Sequence, residues 1–376
     1  MILLAAGFSV GHAADLPVDR IGPILDRTIR PLMARDEIPG MAIGVIVDGK
    51  PHIFDYGVAS IATNKPVADG TLFELGSISK TFTATLAAWA AVEGRLSMSD
   101  PVAKYLPVLR DKPFGRVRLL DLATHTTGGL PVQVPDEVHN TAQLMDYFQA
   151  WHPARPRGTY RTYTNIGIGT LGLITAKSMD QDFATLMQQW LFPALGMKDS
   201  YVHLPAAKMA DYAQGYTSTG QPIRMAPGVL DDEAYGIRTT IGDMTRFLAA
   251  NMGLVALDSG LRRAIAATHT GYFTIGDMTQ DLIWEQYLYP VTLQSLLDGN
   301  GTAMLLKPTL VTAIEPPQAP EADSWINKTG STNGFSAYIA FVPALRLGIV
   351  MLANRNFPID DQVRAAYTIL NALTEP

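Results

Sequence analysis

Four apolar residues near the start of the chain, Ile21, Leu25, Ile29 and Leu32, recur at helical spacing and predict a helix over residues 19–33 with one buried stripe. Pro39-Gly40 ends that pattern. Residues 41–47 (MAIGVIV) form a short continuous apolar run, as a buried strand does, and Asp48-Gly49 predicts a hairpin turn into residues 51–59. Residues 81–92 (TFTATLAAWAAV) are apolar nearly all round, the mark of a helix with no solvent face. Residues 94–107 read as a turn and a short amphipathic helix. From there to about residue 228 the periodicity is mostly helical, with candidates at 119–125, 141–151, 167–177 and 183–192 between loops rich in Pro, Gly and Thr.

Residues 240–252 predict another helix, while 287–307 read as loop. Strand patterning returns at 337–342 (AYIAFV) and 347–353 (LGIVMLA), joined at Pro343. Residues 360–373 predict a closing helix with Val363, Tyr367, Leu370 and Leu373 on one face. Strands at both ends with helices between them imply an α/β domain made from residues 15–94 and 300–376, and a mainly helical insertion at 95–299.

Composition adds exclusions. A 47% hydrophobic content with 17% charged residues describes a chain of 376 residues that buries a sizeable core. The net charge of −6, with no basic run, argues against nucleic acid as a partner. There is no cysteine, which excludes a disulfide scaffold, a thiolate metal site and cysteine catalysis. The apolar start and the small residues Gly11-His12-Ala13-Ala14 read as the end of a secretory signal peptide over residues 1–14. No run is long enough to cross a bilayer, so the expectation is a soluble, exported monomer without a membrane partner.

Candidate chemistry centres on residues 73–83 (FELGSISKTFT). Ser77 and Lys80 are three apart, so a helix starting at Ser77 carries both on one face, at the end where unpaired N–H groups favour developing negative charge. A serine needs a neighbouring base to become a nucleophile, and a lysine serves only if burial or nearby cations lower its pKa. Tyr163 and Asn165, in RTYTNIG, put a phenol and an amide on the same side of an extended segment. Lys328, Thr329, Gly330 and Ser331, just before the C-terminal strands, supply a cation, hydroxyls and a residue that permits close backbone approach. Each motif is weak alone, and an isolated S-x-x-K is more often an ordinary helix start.

Together and in this order the motifs resemble one family, the class C serine β-lactamases, or cephalosporinases. S-x-x-K and K-T-G belong to the active-site set of related penicillin-recognising enzymes, here with Tyr-x-Asn in place of S-D-N. The resemblance runs from about residue 21 to 373 and includes FELGSISKTFTATL, GGLPVQVPDEV, YTNIGIG, AYGIRTT, NKTGSTNGFSAYIAFVP and LGIVMLANRNFP. It implies an antiparallel sheet flanked by helices, with a helical domain beside it and the active site between them.

For this chain the resemblance implies Ser77 as acylating nucleophile, Lys80 as its hydrogen-bonded partner and Tyr163 as general base or proton relay. Asn165 and Gln133 would contact the substrate's side-chain amide, and Tyr235 would line the acyl side-chain pocket. Lys328, Thr329 and Asn354 would recognise the substrate carboxylate, and the N–H groups of Ser77 and Ser331 would form the oxyanion hole beside Gly330. His125 and Ser336 stand where many relatives carry other residues, which bears on pocket shape.

The implied substrate is a β-lactam, with no cofactor, and the location is the periplasm. A carboxylesterase or DD-peptidase of the same fold, or a penicillin sensor that stays acylated, are the alternatives, and the intact Lys328-Thr329-Gly330 favours the lactamase. His125 reads as a hydrogen-bonded interior residue, the tryptophans as core or pocket wall, and Asp231, Asp232 and Glu233 as a solvated loop.

The seven histidines are scattered and none pair at zinc spacing, and there is no Gly-x-Ser-x-Gly elbow. Exhaustive chelation is therefore expected to leave hydrolysis unchanged. Activity lost to a chelator and restored by zinc would contradict a serine mechanism.

Overall fold

The structure, a computed structural model, describes residues 18–375. The leader-like residues 1–14 lie outside the described residues. A ten-stranded antiparallel sheet organises the rest. Its order is Thr312–Gln318, Gly271–Ile275, Met278–Gln280, Glu285–Leu288, Ser324–Ser331, Ser336–Val342, Leu347–Ala353, Gly40–Val47, Lys50–Ser60 and Lys65–Pro66. The two ends of the chain meet in its middle, where Ile43 stands opposite Met351 and Ala42 opposite Leu352.

Alternation along Gly40–Val47 explains why every residue of that strand is buried. Met41, Ile43 and Val45 face the layer formed by the helices Val18–Arg35 and Ile359–Thr374. Ala42 and Ile46 face the opposite layer, which includes Phe82 and Leu86 of Ser79–Val92 and Phe247 and Leu248 of Ile241–Asn251. Between them Gly44 has no room for a side chain, because Thr245 of the second layer sits against its α-carbon. A third apolar cluster forms the helical body, with Phe114 stacked on Phe148 at 4.0 Å and Ile166 and Leu171 of Asn165–Ser178 packed into it. The expected architecture of a sheet flanked by helices, beside a helical region, is present.

Three local readings change. Residues 287–307 are not a loop: they include the end of the strand Glu285–Leu288 and the helices Leu293–Asn300 and Thr302–Leu306. Proline at 290 and glycines at 299 and 301 masked these short elements. The helical insertion also ends earlier than residue 299, since strands from Gly271 to Leu288 extend the sheet. They are three to five residues long, too short to show a clear period. Residues 94–107 contain only 3₁₀ turns, at Val102–Lys104 and the start of Pro107–Leu109.

Asn354, expected to bind a substrate carboxylate, instead ties the fold together. It has no exposed surface. Its carbonyl oxygen accepts from the Gly40 N–H at 2.8 Å, and its amide donates to the carbonyls of Val58, Ala59 and Gln214 at 3.1–3.2 Å. Three segments far apart in sequence converge on one carboxamide, which leaves it no group for a ligand. Asn354→Ala leaves these buried groups unpaired at about 1–3 kcal/mol each before relaxation. A large drop in Tm is expected, with the KM of the remaining folded enzyme unchanged. A raised KM at unchanged Tm would restore the carboxylate role.

Candidate active site

Ser77 sits in the 3₁₀ turn Gly76–Ile78 that leads directly into the helix Ser79–Val92. Two glycines press this turn against the strand Ser324–Ser331. Gly76 has φ +53°, and a Cβ there would lie 2.5–2.6 Å from the Ser331 backbone. A Cβ on Gly330 would overlap the Leu75 carbonyl and lie 2.9 Å from the Ile78 nitrogen. Only at this spacing does the strand carrying Lys328 and Thr329 run beside the serine. The strand pairs with Glu285–Leu288 only as far as Asn327, so residues 328–331 are free on that side and border the cavity.

Lys80 lies behind Ser77 rather than in the cavity wall, and no part of it is exposed. Its Nζ donates to Ser77 Oγ at 2.9 Å and to the Ala234 carbonyl at 2.9 Å. Burial lowers its pKa to about 8, the nearby Lys328 adding to the effect while Tyr163 opposes it. Tyr163 is also buried. Burial alone would push its phenol up, but the ammonium groups of Lys80 and Lys328, with hydrogen bonds to Ser77 and Lys80, outweigh it and bring the pKa below the ordinary value. Three cations surround its ring, with Lys80 Nζ at 5.3 Å, Lys328 Nζ at 5.4 Å and the Arg161 guanidinium at 5.5 Å from the centroid.

His125 packs against the same ring at 4.5 Å. Burial, then Arg161, Lys80 and Lys328, hold its pKa well below the ordinary range, so it stays neutral. Its Nδ1 accepts from the Thr164 N–H at 3.3 Å, the interior hydrogen bond expected of it.

A cavity of about 450 Å³ opens in front of Ser77. Gln133, Tyr163, Asn165 and Tyr235 border it together with Lys328, Thr329, Gly330 and Ser331. All the expected site residues thus converge except Lys80, which supports from behind, and Asn354, which is displaced. Asn356 and Ile359 border the cavity in its place, and Asn356 is oriented by donating to the Thr332 carbonyl at 2.6 Å.

Sequence reading missed Arg161 and Glu285. Glu285 is the one carboxylate among the described residues that border the cavity. Its Oε1 accepts from Arg161 Nη2 at 2.9 Å and lies 3.7 Å from Lys328 Nζ, providing a counter-charge for the cation cluster. Arg161 also donates to Gln280 at 2.6 Å and to the Met304 carbonyl at 3.0 Å, which fixes another part of the wall. Arg161 was visible beside Tyr163, but its partner is 124 residues away and had no local signal.

Residues 231–233 are not a solvated loop. They form the short helix Asp231–Ala234, with Asp231 buried. The Glu233 carbonyl accepts from Thr83 Oγ1 at 2.6 Å, and its neighbour Ala234 accepts from Lys80.

A serine hydroxyl hydrogen-bonded to a buried amine beside a phenol, with no histidine among the described residues bordering the cavity, is the arrangement of acyl-transferring enzymes of the lysine-dependent kind. Comparison with known proteins agrees. The Beta-lactamase family model matches residues 25–374. A beta-lactamase of Pseudomonas fluorescens is 47% identical over 94% of this chain and 99% of its own length. One from Lysobacter lactamgenus is 48% identical over 92% of this chain and 90% of its own.

Among solved structures, a class C beta-lactamase in complex with cefoxitin superposes with a TM-score of 0.92 at 48% identity, over 94% of this chain and 99% of that one. A D-alanine carboxypeptidase from Burkholderia cenocepacia superposes at 0.91 and 57% identity, with the same coverage. The chain belongs to the beta-lactamase family, and its class is C.

The Glu233 carboxyl is largely buried, and burial raises its pKa to about 7. Its folded pKa therefore lies above the unfolded one. The associated destabilisation is absent below pH ~4.5 and grows as pH rises through 7, to about 3 kcal/mol at most. Glu233→Gln is expected to raise Tm relative to wild type more at pH 8 than at pH 5. An equal effect at both pH values would contradict a buried titrating acid.

Proposed function

We propose that this enzyme opens the lactam ring of cephalosporins and penicillins through an ester intermediate on Ser77. The observation that carries the reading is the 2.9 Å contact between the buried Lys80 ammonium and the Ser77 hydroxyl at the edge of the cavity. Ser77 Oγ attacks the lactam carbonyl carbon while its proton passes to the Tyr163–Lys80 pair. The ring C–N bond then breaks and the nitrogen takes a proton from the same pair. Water, deprotonated by that pair, hydrolyses the ester and frees Ser77.

The backbone N–H groups of Ser77 and Ser331 are proposed to hold the oxyanion. Gly76 and Gly330 support this, since they let the two backbones approach. Asn165 and Gln133 are assigned to the substrate's side-chain amide, and Tyr235 to the acyl side-chain wall. Both Gln133 and Asn165 border the cavity, which supports that assignment. Lys328, Thr329 and Asn356 are assigned to the carboxylate. Asn356 replaces Asn354 in that role because it borders the cavity. The leader-like N-terminus supports export to the periplasm, and among the described residues no helix is long and apolar enough to cross a membrane.

A D-alanine carboxypeptidase activity is the second reading, favoured by the 57% identical structure described by that activity. Parallel assays with a cephalosporin and a D-alanyl-D-alanine peptide separate the two, and lactam turnover well above peptide turnover is expected.

Ser77→Ala is expected to fold normally, lose turnover and form no mass adduct with a cephalosporin. Substantial turnover in this variant would exclude the serine mechanism. Tyr163→Phe keeps the ring among its three cations and removes the proton relay. A loss of about 10²–10⁴-fold in kcat is expected at unchanged Tm. Near wild-type acylation and deacylation in rapid-quench mass spectrometry would remove Tyr163 from the chemistry.

A further inference from the structure

Glu74 lies three residues before Ser77, has 1% of its surface exposed, and plays no part in the chemistry above. Its Oε1 accepts from the Tyr212 hydroxyl and from the Met225 N–H, the latter at 2.8 Å. Met225 belongs to residues 223–226, which border the cavity, as Tyr235 does. Pro222–Ile223 is held by pairing with Gly215–Tyr216. Beyond Ile223 the backbone loses its ladder. Among the described residues, 224–227 make no backbone hydrogen bond other than Met225 to Glu74.

The platform beneath is built of packed aromatic rings. Tyr212 stacks on Phe335 at 6.1 Å, and Phe335 meets Phe73 edge-on at 6.4 Å. The Arg224 guanidinium lies over the Tyr212 ring at 4.3 Å and donates to the carbonyls of Tyr212 and Ala213. Arg224 thus fastens the start of the wall to the platform. Glu74 fastens its middle, and does so from the same short segment that carries the nucleophile.

We propose that Glu74 is a positioning residue for substrate specificity. By anchoring the Met225 amide it fixes how far the wall at 223–226 stands from Ser77, and so limits the bulk of acyl side chain the site accepts. The proposal rests on the lactam-hydrolysing reading for its substrate class, while the anchoring itself can be measured without any substrate. A charged carboxylate holds an amide more firmly than a neutral acceptor does, so loosening the anchor should act in graded steps.

The test compares wild type with Glu74→Gln and Glu74→Ala. Hydrogen exchange followed by mass spectrometry reads the peptide covering residues 222–228. Steady-state kinetics compare a cephalosporin bearing a branched oxyimino side chain with one bearing a flat arylacetyl side chain. Glu74→Gln keeps the shape and is expected to exchange about threefold faster in that peptide, with the kcat/KM ratio moving about threefold toward the branched substrate. Glu74→Ala should move both by about tenfold or more, mainly through KM for the branched substrate.

If Glu74→Ala does not fold, Glu74→Gln decides alone. Unchanged exchange at 222–228, or equal losses on both substrates, would overturn the proposal and make Glu74 a purely structural support. Absence of turnover on both substrates in the wild type, with faster exchange in the variants, would sink the lactamase reading and leave the anchor standing.

Discussion

The structure depends on keeping the Lys80 ammonium out of water. A buried charge costs several kcal/mol unless it is hydrogen-bonded, and here the compensation comes from one hydroxyl, one carbonyl and the neighbouring phenol. Each partner arrives from a different part of the chain. Ser77 belongs to the turn before the helix, Ala234 to a short helix in the helical region, and Tyr163 to the entry of Asn165–Ser178. The site therefore cannot form before both regions have packed. The same burial that makes the lysine expensive brings its pKa to about 8, where proton exchange with a phenol and a serine becomes feasible.

Charge balance follows from that choice. Lys80, Lys328 and Arg161 share one aromatic ring, an arrangement that favours a phenol able to give up its proton. Without a counter-charge the cluster would repel itself. Glu285 supplies one, paired with Arg161 and close to Lys328. His125 adds none, because the same field and its burial keep it neutral. One local constraint thus explains why a buried arginine, an acid from a sheet strand and an uncharged histidine occur together.

Geometry is set by absences as much as by contacts. Gly76 and Gly330 let the Ser77 turn and the Lys-Thr-Gly strand approach to backbone distance, and Gly44 lets the helix Ile241–Asn251 settle on the sheet. Asn354 holds the other end of the same framework by joining Gly40, Val58, Ala59 and Gln214. Precision at Ser77 is in this sense a property of the whole sheet.

Much of this was legible in the chain. Ser77 and Lys80, Tyr163 and Asn165, and Lys328 to Ser331 were recognisable because each group lies within four residues, on one helix turn or one strand. The strands Gly40–Val47 and Leu347–Ala353 and the helix Ile359–Thr374 were readable from periodicity, since their faces are buried over several repeats. Glu285, Glu74 and the true part of Asn354 were not, because their partners lie 124, 151 and 314 residues away and no local pattern encodes such distances. Residues 231–233 looked solvated for the same reason: three acids in a row are polar by composition, and only packing of their short helix against Ser79–Val92 and Asn165–Ser178 buries Asp231 and partly covers the other two. Sequence alone picked out most of the groups that gather around the cavity. Tertiary structure decided which polar residues face the cavity and which are used up inside the fold, because hydrogen-bond partners are assigned only when distant segments meet.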